Sequence, residues 1–234
     1  AWLKVTRLPS STGGGLVVYQ AGSTEFRWSD NNDQMYLIDG SSYKISTGKL
    51  RDTTGWFHLC IIADTPQGTA SDRFKVYING AVPTLTTDSA PAQNFDFDVN
   101  DTQAQNIGKE GSNYWDGYMS EFHLIDGTAK AVGDFGFHLD FADSADLGDD
   151  NSGQGNDWTP TNIAAAHQSS DSPTNNHCTW NYNYDMESSI TLSEGCQNYL
   201  NSAGSQDKAL GTMFPRHGKW YWEVKWVSGS SHGQ

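Results

Sequence analysis

With 234 residues, 36% apolar and 12% aromatic, the chain has material for one large β-sandwich or for one domain plus part of another. It needs no disulfide or metal merely to fold. A formal charge of −14, from 28 acidic and 14 basic residues, repels phosphate backbones and anionic membrane surfaces, so nucleic-acid binding and membrane insertion are disfavoured. No run reads as a signal peptide or a membrane span, and both ends, Ala1-Trp2-Leu3-Lys4-Val5 and Ser228 to Gln234, read as cuts through something larger.

Helical periodicity is nearly absent, the best candidate being short, Asn162 to His167. Strand signals recur about every ten residues with turn signals between them, which is the all-β sandwich pattern. Thr12-Gly13-Gly14-Gly15 lacks the lysine of a phosphate loop and reads as a turn. Leu16 to Gln20, Glu25 to Trp28 and Gln34 to Ile38 are early strands, and Asp39-Gly40 marks a hairpin into Tyr43-Lys44-Ile45. Trp56 to Asp64 is a continuous apolar run, expected to be a strand buried on both faces, with Cys60 inside it as a buried free thiol. Phe74, Val76 and Ile78 alternate with Lys75 and Tyr77, Asn79-Gly80 supplies a type I′ turn, and Ala81-Val82-Pro83 is expected to begin the return strand.

Further on, Gly117 to Ile125 reads as one strand ending at Asp126-Gly127, with Glu121 in its middle as a structural carboxylate. From Ala142 to Ser172 the composition turns to Asp, Ser, Asn and Gly, a loop or linker signature. A second β segment starts near Cys178, a cysteine that could pair with Cys196 although the spacing does not demand it. The strongest strand of that segment is Gly218 to Trp226, where Trp220, Trp222, Val224 and Trp226 share one face. Such a stripe needs cover, from the first domain or from a neighbouring subunit.

The stretch from Trp56 to Gly127 resembles the laminin-G-like branch of the concanavalin A-like lectins. The resemblance rests on Trp56-Phe57-His58, Arg73-Phe74-Lys75-Val76-Tyr77-Ile78-Asn79-Gly80, Asn106-Ile107-Gly108 and Asp116-Gly117-Tyr118-Met119-Ser120-Glu121-Phe122. It implies an all-β fold: a two-sheet antiparallel jelly-roll sandwich over residues 1–130, with a second, incomplete β segment. A narrower set of motifs is similar to long virion proteins of marine bacteriophages: Phe122-His123-Leu124-Ile125-Asp126-Gly127, Phe137-His138-Leu139-Asp140-Phe141, Asp150 to Trp158, Asp171 to Asn176 and Gly218 to Val224. There a lectin-like sandwich precedes a linker and a SPRY-like sandwich, which implies a connector over 131–176 and the start of a SPRY-like unit over 177–234. It also implies a tail or surface component of the virion, non-enzymatic, with other virion subunits, further copies of itself and host-surface glycans as partners. A secreted, extracellular carbohydrate-binding module is the alternative, and a glycoside hydrolase a third.

Hydrolysis with retention needs two carboxyl groups about 5–5.5 Å apart. Glu121 and Asp126 fall on opposite strand faces, and the chain has only six Glu. No HExxH pair is present either. Glycan binding asks for exposed rings beside amides and carboxylates, and Asn113-Tyr114-Trp115-Asp116 offers that mix, as does Trp28 with Asp30, Asn31 and Asn32. Calcium is the one cofactor with support. The stretch Asp140 to Asp157 contains Asp140, Asp143, Asp146, Asp149, Asp150, Asn151, Asn156 and Asp157, the last five forming the candidate cage. The competing reading is an acidic linker that uses Asp and Asn to build turns. Asp96, Asp98, Asn100 and Asp101 form a weaker cluster.

Overall fold

The computed structural model describes residues 1–8, 16–28, 33–46, 48–49, 51–99, 101–125, 135–183, 189–202 and 208–228. Thr12 to Gly15, Asp30 to Asn32, Asn100 and the Asp126-Gly127 turn lie outside the described residues. The strands run, in chain order, β1 (Trp2–Val5), β2 (Leu16–Ala21), β3 (Thr24–Trp28), β4 (Met35–Asp39), β5 (Ser41–Ser46), β6 (Phe57–Ala63), β7 (Phe74–Ile78) and β8 (Leu85–Asp88). They continue with β9 (Gln105–Ile107), β10 (Lys109–Glu110), β11 (Asn113–Tyr114), β12 (Gly117–Ser120), β13 (Phe122–Ile125), β14 (Phe135–Leu139), β15 (Ile190–Ser193) and β16 (Asn198–Asn201). The expected helix at 162–167 shortens to a single 3-10 turn, Ala165–His167.

Two antiparallel sheets carry the core. One has four strands in the order β12-β1-β6-β7, the other six in the order β8-β5-β4-β3-β2-β9. Period-two alternation decides what faces inward. In β3, Thr24 and Trp28 are buried and Phe26 packs on the core, so Glu25 and Arg27 stand on the opposite face. In β4, Met35 and Leu37 do the same. The sheets meet through aromatic pairs: Trp28 of β3 on Phe57 of β6 at 5.3 Å between ring centroids, and Tyr43 of β5 on Phe74 of β7 at 6.0 Å. Each edge-to-face pair adds about 0.5–1.5 kcal/mol beyond the area it buries. This is the all-β sandwich that the alternation and turn spacing anticipate, and the jelly roll that the resemblance implies.

Four local expectations change. The β6 run is buried at Phe57 and Leu59, half-buried from Cys60 to Ile62 and exposed at Ala63, so it covers one face rather than two, and the Cys60 thiol is free but only half-buried. The Asn79-Gly80 turn forms with φ of 51° and 77°, as a type I′ turn requires. Its return strand, however, stops after one bridge, Ile78 to Ala81, and the chain crosses to β8, which pairs with β5 in the other sheet. Pro83 lacks the N–H that a continuing ladder needs. The single strand expected over 117–125 is cut at Glu121, whose φ is 51°. β12 therefore pairs with β1, while β13 leaves to pair with β14. Left-handed backbone at a residue with a Cβ costs roughly 1–2 kcal/mol.

The fourth change concerns Gly218 to Trp226. No strand forms there, and Trp220, Trp222, Val224 and Trp226 are exposed, as are Tyr221 and Val227. Among the described residues no strand lies alongside to accept its backbone hydrogen bonds, so the period-two stripe has no ladder to join and does not pack on the first sheets.

Residues that read as connector instead hold the sandwich. Phe137 and Leu139 of β14 belong to the core, with Phe137 stacked on Phe122 at 5.9 Å. Asp171 reaches the middle of β1, where the fully buried Lys4 ammonium contacts its Oδ2 at 2.5 Å. Lys4 also donates to Asn176 Oδ1 at 2.7 Å and to the His177 carbonyl at 2.9 Å. The other oxygen of Asp171 accepts from Trp56 Nε1 at 2.8 Å. Removing one partner of a buried pair leaves an uncompensated charge. Asp171→Ala is therefore expected to lower the unfolding free energy by about 3–5 kcal/mol in urea denaturation. Adding Lys4→Met should restore a large part of the loss, whereas an unchanged midpoint in Asp171→Ala would show that the pair is not structural.

Candidate functional site

The β10–β11 hairpin folds beside β2 through the Gly108 N–H, which donates to the Val18 carbonyl at 3.0 Å. This puts the loop that carries the predicted glycan residues next to the outward face of the six-stranded sheet. Tyr114 is 52% exposed, with the Lys109 ammonium 5.9 Å from its ring centroid. Asn113 Nδ2 donates to Glu110 Oε2 at 2.9 Å. Behind them on β3, Arg27 Nη1 lies 3.2 Å from Glu25 Oε2. Burial pushes the Glu25 carboxyl above the usual carboxylate range, Arg27 opposes this, and the nearby Glu110 adds to it. The exposed ring thus stands beside an ammonium, while Asn113 and Glu110 pair with each other across the same hairpin.

The other predicted glycan residues lie elsewhere. Trp28 is 1% exposed and belongs to the core, so its ring is closed to a sugar, and the half-buried Trp115 packs edge-on against it at 6.5 Å. Large rings fill a sandwich core as readily as they line a loop, and no local pattern separates the two. Asp116 accepts from Thr6 Oγ1 at 2.9 Å and lies 3.9 Å from Arg7 Nη1. It lines a separate cleft of about 410 Å³ with Arg7, Tyr182, Thr191 and Ser193, where the Arg7 guanidinium sits 4.7 Å over the Tyr182 ring. Cys196 lies at the base of this cleft, its thiol pushed up to about 11 by burial and by Asp116. Cys178 and Cys196 are both free.

The acidic stretch from Asp140 is built from turns. Asp140, Asp143 and Asp146 each accept, through Oδ1, the N–H two residues on, from Ala142, Ala145 and Gly148. This is the side-chain turn that Asp forms with its own backbone. Asp150 is buried and accepts four hydrogen bonds, from the N–H groups of His138, Ser152 and Asn156 and from Ser152 Oγ. Asp157 Oδ1 in turn accepts the Asp150 N–H at 3.1 Å, and the Asn151 N–H donates to the His138 carbonyl. Trp158 closes the loop by donating to the Gly148 carbonyl, where a Cβ on residue 148 would fall 1.8 Å from the Trp158 oxygen. Of the five predicted calcium ligands, Asp150 is thus committed to loop closure, and Asp157 shares that work. Asp149 has its carboxyl pushed up by burial and by the surrounding Asp157, Asp146, Asp143 and Asp140. Asp98, of the weaker cluster, accepts from the Ser23 N–H and hydroxyl, which hold its carboxyl down.

The loop clamps β14 where it matters most for chemistry. His138 lies directly opposite His123 of β13, their rings parallel within 12° and 4.1 Å apart. Glu121 Oε2 is 2.7 Å from His138 Nε2 and 3.5 Å from His123 Nε2. Among the described residues, these three form the set whose potential metal-ligating atoms all lie within 4.8 Å of one another. Burial and the neighbouring His138 ring lower the His123 pKa. Sequence reasoning missed this group because it looked for histidines on a helix. The signal was present as a repeated tripeptide, Phe122-His123-Leu124 and Phe137-His138-Leu139, with Glu121 two residues before the first histidine.

With fold and site in view, the comparison with known families is specific. Laminin_G_3, a family model of the concanavalin A-like lectin/glucanases superfamily, matches residues 1–131, and the chain belongs to that superfamily. Its name covers both lectins and glucanases, and the fold supports carbohydrate binding at most. No curated protein and no solved structure matches the chain.

Asp150 gives this region a pH dependence. Burial alone would raise its carboxyl, but the N–H groups of His138, Ser152 and Asn156, with the Ser152 hydroxyl, hold it down to about 2. A depressed carboxyl stabilises the fold above its unfolded pKa, and that stabilisation is lost as pH falls through the folded value. The stability difference between wild type and Asp150→Asn, present at pH 6, should therefore close between about pH 4 and pH 2 in thermal melts. A difference that stays constant over that range would mean that the charge is not what the loop uses.

Proposed function

We propose that the chain is a non-enzymatic component of a bacteriophage virion, in a tail or surface position, and that it binds host-surface glycans through the β10–β11 hairpin. The observation that carries the binding reading is Tyr114: an exposed ring beside Lys109, on a hairpin that also carries Asn113 and Glu110, in a fold whose superfamily includes lectins. A flat apolar face flanked by amide and charged hydrogen-bonding groups is what a sugar ring offers partners to. The virion reading rests on the motifs around Phe122, Phe137, Asp150, Asp171 and Gly218 that resemble phage structural proteins. The same resemblance supports a unit over 177–234 that opens a SPRY-like sandwich. The exposed Trp220, Tyr221, Trp222 and Trp226 support contact with other virion subunits or with further copies of the chain, since contiguous exposed apolar surface marks interaction sites. A secreted module would use the same hairpin without those partners.

One observation favours a second reading, glycoside hydrolysis. Burial raises the Glu25 carboxyl and Glu110 adds to the shift, and a raised carboxyl is what the general acid of such an enzyme uses. Arg27 at 3.2 Å from Glu25 opposes the neutral acid form that protonates a leaving group, which supports binding over turnover.

A glycan array with the full chain, run with calcium and again with chelator, tests the reading. Binding to a defined sugar is expected, and Tyr114→Ala should weaken it at least about tenfold, as stacked-ring hot spots do, with an unchanged melting temperature. Chelator-sensitive binding would give the Asp149 to Asp157 loop a calcium role. Turnover of the bound sugar, lost in Glu25→Gln, would replace the lectin reading with the hydrolase. No binding from folded protein would leave a purely structural virion role.

A further inference from the structure

We propose that Glu121, His123 and His138 form a three-ligand site for a divalent transition-metal ion of the zinc type, on the solvent side of the β13–β14 pair. The inference is independent of glycan binding. It rests on geometry, on ligand chemistry and on the way the backbone is held.

The geometry comes first. A tetrahedral zinc ion with bonds of about 2.0–2.1 Å places neighbouring ligand atoms roughly 3.3–3.4 Å apart. Glu121 Oε2 and His123 Nε2 are already 3.5 Å apart. Glu121 Oε2 and His138 Nε2, at 2.7 Å, are hydrogen-bonded and must separate by about 0.6 Å to exchange that bond for two metal bonds. The two imidazoles are stacked, parallel within 12°, so one ring has to turn as the 47% exposed Glu121 carboxylate shifts before both Nε2 lone pairs meet at one ion. Two imidazole nitrogens and one carboxylate suit zinc and its neighbours, whereas calcium and magnesium ask for oxygen ligands throughout.

The histidines stand where a strand pair holds them without help from a metal. Phe122, Phe137 and Leu139 bury the opposite face in the core, and Leu124 packs against it, so the imidazoles project away from it. His138 is fixed at both its backbone groups: its N–H donates to Asp150 Oδ1 at 2.8 Å, and its carbonyl accepts from the Asn151 N–H at 2.9 Å. The left-handed turn at Glu121 separates β12 from β13 and sets the carboxylate over both rings. The same turn serves the fold, since it lets β13 pair with β14 and carry Phe122 into the core. Three protein ligands leave one coordination position for water or for a donor atom of a bound molecule.

Isothermal titration of the full chain, stripped with chelator and then titrated with zinc chloride, tests the site. Uptake of one ion per chain is expected, with affinity reduced at least about tenfold in His123→Ala, in His138→Ala and in Glu121→Gln. His217→Ala and Cys178→Ser should leave it unchanged, and millimolar calcium should not compete. Melting the metal-free variants separates ligand loss from misfolding. Glu121→Gln keeps both imidazoles and the strand pair, so it remains informative if a histidine variant is unstable. Cobalt in place of zinc should give the visible absorption of a four- or five-coordinate nitrogen–oxygen site, lost in His138→Ala. No zinc uptake by folded chain, or uptake that the three variants leave unaltered, overturns the proposal.

Discussion

An ammonium group removed from water has to be answered by charge and by acceptors, and the answer to Lys4 organises this molecule. Lys4 sits on β1, between β12 and β6, and its three donors find Asp171, Asn176 and the His177 carbonyl. Those partners come from a polar stretch more than 160 residues further along the chain. Asp171 also takes the Trp56 indole N–H and the His177 N–H, so one carboxylate binds the front sheet to the segment that follows the sandwich. A hydrophobic pair could fill the same space at no loss of stability. An ion pair fixes which segment docks there and in what register. Tyr118 extends the contact by donating to the Gly195 carbonyl, and burial together with Asp171 raises its own pKa.

The same logic, polar groups satisfied by distant backbone, runs through the acidic loop. Its aspartates look like a cation cage in composition, yet Asp140, Asp143, Asp146, Asp150 and Asp157 each accept an N–H within the loop. The exception that reaches outward is Asp150, and it reaches to β14. The loop therefore acts on chemistry indirectly, by fixing the backbone of His138 opposite His123. Trp158, packed edge-on to Phe137 at 4.9 Å, anchors the far end of the loop to the same strand.

The two proposed sites stand on different strands of the molecule. The glycan candidate stands on the β10–β11 hairpin beside the six-stranded sheet, where Gly108 hangs the hairpin from β2. The histidine–glutamate group stands on β13 and β14, the strands freed from the sandwich sheets by the turn at Glu121. Each of the two clusters follows a local break in regular pairing, at Gly108 with φ 73° and at Glu121 with φ 51°.

The sequence by itself determined the strands whose patterns are local. β2 to β5 follow from alternation and the Asp39-Gly40 turn, and the Asn79-Gly80 turn follows from two residues that tolerate positive φ. It also determined that Tyr114 and Asn113 would share a loop. Tertiary structure alone decided the rest, because side-chain type does not encode distance between residues far apart in the chain. Trp28 became core when two sheets closed over it, and Trp115 packs half-buried against it. Asp116 turned to Arg7, and Asp150 was drawn to the His138 N–H. The Trp220 stripe has strand periodicity and still forms no strand, since a strand needs a neighbour to bond to. His123 and His138 are fifteen residues apart in sequence and become a pair only through antiparallel register, which no single strand's pattern contains.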